Sequence, residues 1–481
     1  MTHAYPPDGQ AGVELYTQRL AGLVTARGWR ATVVTARVRR GKAQNSCVRE
    51  IVGGQTVVGL VQNWPRRDLP ESVLDPTLDR VFGSVLDADP PDLIAVQTLH
   101  GLSFGFLAEA QRRGIPVVWH LHDGGFSCAS GGQRRRPDGG LCLPVEFERC
   151  GACFDQFRHQ EGPLERLGRW AAGRLPERVP PDLLHRGYLA LPDGARRRLA
   201  VLNERGGRLR ATREQVGRYG ERQTADGSAA HGPANGPTAN CGAVVDPRIV
   251  QRSAIIAGSL AGVRAVLSPS RFLAESLRSD GVPLPPVRVV PSGVPKGATR
   301  GPRGQRLRVG FVGTFVPHKG PQVLAAALGQ MSSSERGTLD AWAAGPAPYP
   351  AFASEVAALA RGQLDVRAAL APERVPAALA SLDVLVVPSV WAENAPLIVL
   401  EARAAGCVVV GTSLGGMPEL VEDGSDGLLL APGDVDALRK TLGGLARAPE
   451  RLVAFAAAVR ERPPATDAEW ADAVIAAWDA P

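Results

Sequence analysis

The chain has 481 residues, 44% of them hydrophobic, a formal net charge of +7 and seven cysteines. That length is too great for one core and implies two domains with insertions. No apolar run approaches the roughly 18 residues of a transmembrane helix, and the polar, proline-broken start MTHAYPPDGQ is no secretory signal. The odd cysteine count argues against a disulfide framework. The basic balance suits phosphate-rich partners or simply a solvated arginine-rich surface.

In chain order, AGVELYTQRLAGLVTARG predicts an amphipathic helix with Tyr16, Leu20, Leu23 and Val24 on one side and Gly28 at its stop. RATVVTA follows as a strand, then a helix from Thr77 to Leu86, the strand DLIAVQT, a helix from Phe104 to Arg113 and the strand PVVWHLHD. Strands separated by helices predict a parallel sheet covered on both faces. Residues 126–250 break the rhythm with a cysteine-bearing stretch, an arginine-rich region (Arg196–Arg198, Arg205–Arg222) and the loop-like SAAHGPANGPTANCG. The alternation resumes with IIAGSLAGVRAVLSPSRFLAESLRSDG, and PSGVPKGATRGPRGQR (291–306) reads as a linker.

Beyond it the strand candidates are LRVGFVG, LDAWAAG, LDVLVVPS, CVVVGTS and GLLLAPG. PQVLAAALGQM and DVDALRKTLGGL are helices between them, and AEWADAVIAAWDA is a closing helix. The expected division is a first domain over 1–290, the linker, a second domain over 307–465 and the closing helix over 466–481. The fold class is α/β, with two doubly wound halves and a ligand expected at the strand carboxyl ends, in a central cleft.

Three stretches carry chemistry. LRVGFVGTFVPHKG sets Lys319 before a helix, where an ammonium can meet a phosphate. In PSVWAENAPLIVLEARAAG, Glu393 lies in a loop, Pro396 suits a first helical position and Glu401 follows in the helix. Acid pairs at that spacing arise by chance about five times in such a chain, so the pair means little outside this context. Helix-start amides from Asn394 to Val399 could hold a diphosphate. TSLGGMPELVEDGSDGLLLAPGD places Gly415 and Gly416 in a third strand-to-helix loop.

Together, PSVWAENAPLIVLEARAAGCVVVGTSLGGMPELVEDGSDGLLLAPGD resembles the signature half of the family 4 glycosyltransferases, two-domain proteins of the GT-B fold. The resemblance is dense over about 50 residues. It thins toward GTFVPHKG, the first helix and LHD. It implies a bacterial-type, retaining, nucleotide-sugar-dependent hexosyl transfer with no catalytic metal. It further implies that Lys319 contacts the donor diphosphate, with Gly12, Gly313 and Thr314 beside it. Glu393 would face the transferred sugar, Asn394, Ala395, Pro396 and Leu397 would line the phosphate and sugar, and Glu401 would bind the ribose. His122 resembles the histidine near sugar and acceptor, with His120 and Asp123 as neighbours that could take its role.

The sequence departs from that pattern in four places. Thr314 stands where an arginine is usual, so Arg271 or another base is expected to substitute. Ala11-Gly12 replaces a glycine pair. No buried strand precedes HAYPP, so either the start lies upstream or the first domain lacks a central strand. CASGGQRRRPDGGLCLPVEFERCGAC adds Cys128, Cys142, Cys150 and Cys153, which could supply four thiolates to a structural zinc, the alternatives being unpaired structural thiols or a redox pair. Some bacterial members resemble the chain in having such a cluster.

The expected partners are a nucleotide-sugar donor and a glycan, lipid-linked or small-molecule acceptor. The setting is polysaccharide, glycolipid or glycosylated small-molecule synthesis in the cytoplasm, with peripheral association at the inner membrane face as a variant. The alternatives are a GT-B enzyme of epimerase type, a catalytically impaired relative, and a zinc-containing nucleic-acid-binding protein. With aromatic content at 5% and no basic-aromatic platform, no nucleic-acid partner is expected.

Overall fold

The computed structural model describes residues 1–9, 12–39, 42–63, 73–136, 139–159, 244–295, 298, 301 and 304–479. Ala11, the arginine-rich region and the loop-like SAAHGPANGPTANCG lie outside the described residues. The chain divides into two compact units, Met1–Val266 with Ser276–Pro286, and Leu267–Glu275 with Val287–Pro481. Among the described residues no helix is long and apolar enough to cross a membrane.

In the first unit, strands β1 (Thr32–Arg37), β2 (Cys47–Val52) and β3 (Gln55–Val61) form a sheet of order β1-β3-β2. β1 and β3 are parallel, and β2 and β3 form an antiparallel hairpin. The sequence reading missed that hairpin, although Gly53-Gly54 between alternating residues signals it. Both glycines take positive φ, 57° and 81°, as a two-residue hairpin turn requires. Strands β4 (Ile94–Val96) and β5 (Val117–His120) pair in parallel; β6 (Ala265–Ser268) and β7 (Val287–Val289) come later in the chain, β7 within the second unit. The helices Gly12–Thr25, Pro76–Ala88 and Gly105–Arg112 fall where their periodicity places them. Tyr16, Leu20 and Val24 are buried, while Leu23 is only half-buried.

Met1 and Thr2 occupy the place of the missing strand. Thr2 N–H donates to Val34 O at 3.0 Å and forms a parallel bridge with Thr35. On the other side Gln97 N–H donates to Met1 O at 2.8 Å. The two residues thus join β1 to β4, and the Met1 amino group donates to Ala95 O at 2.7 Å.

The second unit contains a six-stranded parallel sheet of order β10-β9-β8-β11-β12-β13. Its strands are β8 (Leu307–Val312), β9 (Leu339–Ala344), β10 (Asp365–Arg367), β11 (Val384–Val387), β12 (Val408–Thr412) and β13 (Gly427–Leu430). Relative to chain order this is 3-2-1-4-5-6, the doubly wound arrangement, and it reverses between β8 and β11. β11 and β12 are buried at every position, as both-sided helical cover demands. The short edge strand β10 escaped the sequence reading because it carries charge at both ends.

Residues 267–275 group with the second unit because Ser270 and Glu419 tie them there, as described below. The closing helix Asp467–Asp479 also belongs to that unit. Asp467 N–H donates to Val294 O at 3.0 Å, and Arg288 Nη1 donates to Ala477 O at 2.5 Å.

Gly320 marks where backbones must meet. Its φ is +76°, and a Cβ there would stand 1.9 Å from Pro388 O. Gly320→Ala is therefore expected to lower stability by about 3 kcal/mol or more, since a left-handed alanine alone costs only about 1–2 kcal/mol. Gly406→Ala, at φ +72° with nothing within 4 Å, should show that smaller loss alone. Equal losses by chemical denaturation would show that the approach to Pro388 imposes no constraint.

Candidate active site

Lys319 and Glu393 come from the loops after β8 and β11, the two strands that flank the reversal of strand order. Open α/β sheets gather ligands at the carboxyl ends of such strands. After β8 the chain passes Gly313-Thr314 and makes a tight turn, Pro317–Lys319, before the helix Pro321–Gly329. After β11 it passes Ser389 and Trp391 to Glu393, and the helix Leu397–Ala404 follows. Pro396 is the N-cap of that helix and not its first helical residue as predicted; the helix starts one place later, at Leu397. Its fixed φ suits the entry, and Leu397 opens the helical turn.

Glu393 is 4% exposed. Lys319 Nζ donates to both its carboxylate oxygens, at 2.8 and 3.0 Å. Ser389 Oγ donates to Oε1 at 2.6 Å. Burial pushes the Glu393 carboxyl up, but the Lys319 charge and these hydrogen bonds outweigh it and hold the group below its ordinary value. Lys319 Nζ also sits 5.0 Å from the Trp391 ring centroid, and His318 packs on the same ring at 4.9 Å. The result is a carboxylate and an ammonium held side by side, with an indole under the cation.

Gly415 and Gly416 close the site from the loop after β12. A Cβ on Gly415 would stand 2.1 Å from Glu393 O, and one on Gly416 1.8 Å from Asn394 O. Gly416 N–H donates to Glu393 O at 2.7 Å. Asn394 Oδ1 accepts from Ser270 Oγ. Ala395, Pro396 and Leu397 line the approach to the helix start, and Glu401 is half-buried in its second turn. Gly313 N–H is bound to Ala344 O at 3.0 Å, and Thr314 beside it brings no charge. Sequence reasoning missed Ser270, Ser389 and Glu419; a serine just before the SPSRFL helix was the only signal for the first.

In the first unit, His122 Nε2 lies 2.9 Å from Gln97 Oε1 and its ring meets Tyr16 edge-on at 4.6 Å. Burial and the His3 charge push its pKa down to about 3, against a smaller upward pull from Glu14. It is therefore neutral at pH 7. His120, also named, is 1% exposed and its Nδ1 is held 2.9 Å from the Tyr16 hydroxyl, which suits a core role. Asp123 is exposed and accepts from Gly125 N–H at 2.7 Å, a local turn. Gly12 begins its helix in open space, with nothing within 4 Å of where a Cβ would stand.

The four predicted zinc cysteines gather but do not form a cage. Burial, then Cys128, Cys142 and Cys153, push the Cys150 thiol up to about 12. Cys142 Sγ accepts from Glu146 N–H at 3.4 Å, Cys150 Sγ donates to Glu146 O at 3.6 Å, and Cys153 Sγ lies 3.3 Å from Ser130 Oγ. Among the described residues no group of three or more His, Cys, Asp or Glu is placed to hold a metal ion. The expectation of zinc at Cys128, Cys142, Cys150 and Cys153 is thus left untested. Cys142 and Cys150 join an apolar cluster with Val145, Phe147, Phe154 and Ile249.

Because the Glu393 pKa lies below its ordinary 4.5, the pair adds stability above that value and loses it as pH falls through the folded pKa. The stability difference between wild type and Glu393→Gln should stay constant from about pH 8 to 6 and narrow below about 4.5. A difference that is flat or grows in acid would contradict the ion pair.

The sequence matches the family described as Glycosyltransferase Family 4 over residues 11–148 and that described as Glycosyl transferases group 1 over residues 306–447. A D-inositol 3-phosphate glycosyltransferase of Mycobacterium avium is 33% identical over 147 residues, 29% of this chain and 34% of that relative. An alpha-maltose-1-phosphate synthase of Mycolicibacterium smegmatis is 32% identical over 167 residues, 32% of this chain and 42% of that relative. The chain thus spans well under half the length of the curated relatives it matches. Among solved structures, HepE of Anabaena in complex with UDP and glucose has a TM-score of 0.59 at 14% identity, over 100% of this chain and 99% of that one. Sucrose-phosphate synthase of Thermosynechococcus elongatus gives 0.59 at 15% identity, over 97% and 93%. At such identities the likeness is one of fold. Two matching family regions, one in each unit, and a shared fold along the whole length lead to one conclusion: the chain belongs to the family 4 glycosyltransferases, with the GT-B fold.

Proposed function

We propose that the protein moves a sugar from a nucleotide-sugar donor to a small polar acceptor, with retention at the anomeric carbon. The carrying observation is the Lys319–Glu393 pair, 2.8 Å apart at the strand reversal of the second unit. A departing diphosphate needs a cation, and positive charge growing on the sugar needs a nearby carboxylate. Lys319 and the amides at the start of the helix Leu397–Ala404 serve the first need. Glu393 serves the second, and Glu401 takes the ribose hydroxyls.

The bond from the anomeric carbon to the phosphate oxygen breaks while a bond to the acceptor oxygen forms on the same face. The acceptor proton passes to the departing diphosphate oxygen. His122 is assigned to the acceptor and sugar. Being neutral, it serves there as a hydrogen-bonding group and not as a charge. The names of the relatives, which act on inositol phosphate and form maltose 1-phosphate, support a small phosphorylated acceptor over a lipid-linked glycan. The complexes of HepE with UDP and UDP-glucose make UDP-glucose the first donor to try.

A thermal-shift screen of UDP, ADP and GDP and their sugars should reveal at least one that stabilises the protein; stabilisation by none would sink the proposal. With that donor, Glu393→Gln should reduce kcat by about 100-fold or more while nucleotide binding persists. Glu401→Ala should weaken nucleotide binding by roughly tenfold, the loss of one charge-assisted hydrogen bond. Unchanged turnover in both variants would refute the assignment.

A further inference from the structure

A nucleoside diphosphate carries more than one negative charge, and the inner site brings none to offset it. Lys319 is already matched by Glu393, which holds its ammonium at 2.8 and 3.0 Å. Thr314, on the same loop, is uncharged. Three other arginines of this unit are paired with carboxylates. Arg308 pairs with Asp383 at 3.0 Å, Arg403 with Asp426 at 2.8 Å and Arg367 with Asp365 at 2.7 Å.

Residues 268–272 lead from β6 into the helix Arg271–Ser279. Ser270 is 1% exposed, and its hydroxyl works in two directions. It accepts from Leu273 N–H at 3.2 Å, capping the helix, and donates to Asn394 Oδ1. Glu419, just past Gly415-Gly416, accepts from the backbone N–H groups of Arg271 and Phe272 at 2.9 and 2.7 Å. The Ser270 side chain and the Gly416 backbone also meet, with the Ser270 Cβ 3.3 Å from a Gly416 Cβ position. Arg271 is therefore held by Glu419 through its own backbone N–H, and its neighbour Ser270 is tied to Asn394 and packed on the Gly416 turn. Its own side chain is exposed, and its guanidinium enters no ion pair among the described residues.

We propose that Arg271 is the second cation of the donor site, its guanidinium closing on the diphosphate oxygens that Lys319 holds from the other loop. The inference rests on the nucleotide-sugar reading above. A planar guanidinium suits the task, since it can grip two phosphate oxygens at once. Glu419 occupies the helix-start amides that might otherwise take the phosphate, so the positive charge comes from the side chain. Ser270 and Glu419 act as positioning residues that fix where the arginine starts.

The test uses isothermal titration of the full chain with UDP and uridine, or with ADP or GDP and the matching nucleoside if the screen favours another base. Arg271→Gln should weaken diphosphate binding about 10–100-fold and leave nucleoside binding within about twofold. Arg271→Lys should recover part of the loss. Adding Thr314→Arg to Arg271→Gln should also recover affinity by returning a cation to the other side of the phosphates. The donor KM should rise with a smaller change in kcat. Unchanged diphosphate affinity, or an equal loss for nucleoside and diphosphate, would overturn the role of Arg271 while leaving the donor reading intact. Failure of the wild type to bind any of the three diphosphates would overturn both. Melting of each variant without ligand separates these outcomes from misfolding, because the altered side chain is exposed and should leave the melting temperature unchanged.

Discussion

The Lys319–Glu393 pair organises the second unit. A carboxylate 4% exposed cannot stay ionised without a partner, because burial raises the cost of its charge. Here the partner is an ammonium from the neighbouring strand's loop, and Ser389 satisfies one oxygen further. Each loop is locked in turn by backbone contact. Gly320 lies against Pro388, and Gly415 and Gly416 lie against Glu393 and Asn394. No side chain fits at these three positions, so the loops cannot separate without breaking the packing that aims the pair. The charges are thus placed before any ligand arrives, which is what electrostatic stabilisation of a short-lived state requires.

The same pair constrains the chemistry. While Glu393 holds Lys319, the two charges cancel, and on the reading proposed above an incoming diphosphate would compete for the ammonium. On that reading, drawing Lys319 toward phosphate would leave Glu393 available to a sugar hydroxyl. The Trp391 ring, 5.0 Å from Lys319 Nζ, adds a favourable contact for the cation.

The first unit offers a neutral polar face in contrast. Burial holds His120 and His122 uncharged, and Tyr16 and Gln97 fix their rings. The cysteine-bearing loop beside them is tied by charge and hydrogen bonds. Arg134 pairs with Asp280 at 2.6 Å, both nearly inaccessible, and Asp280 also accepts from Val145 N–H at 2.9 Å and Ser127 Oγ at 2.7 Å. Arg252 donates to Phe126 O at 3.1 Å. These contacts hold the loop in place, as the thiols were expected to do through zinc.

Much of the fold was legible in the sequence because it rests on local chemistry. Buried parallel strands such as Val384–Val387 read as continuous apolar runs, and prolines and glycines mark the helix limits around them. Lys319, Glu393 and Glu401 stand out only through the resemblance of the motifs that carry them, since their spacing alone means little. Tertiary structure decided what depends on residues far apart in sequence. Ser270 reaches Asn394 across 124 positions and Glu419 reaches Arg271 across 148, and no periodicity records such contacts. It also placed Met1 and Thr2 between β1 and β4, and it set Cys142 and Cys150 in an apolar cluster. Spacing along a chain names the atoms that could meet; only packing fixes their distances and directions.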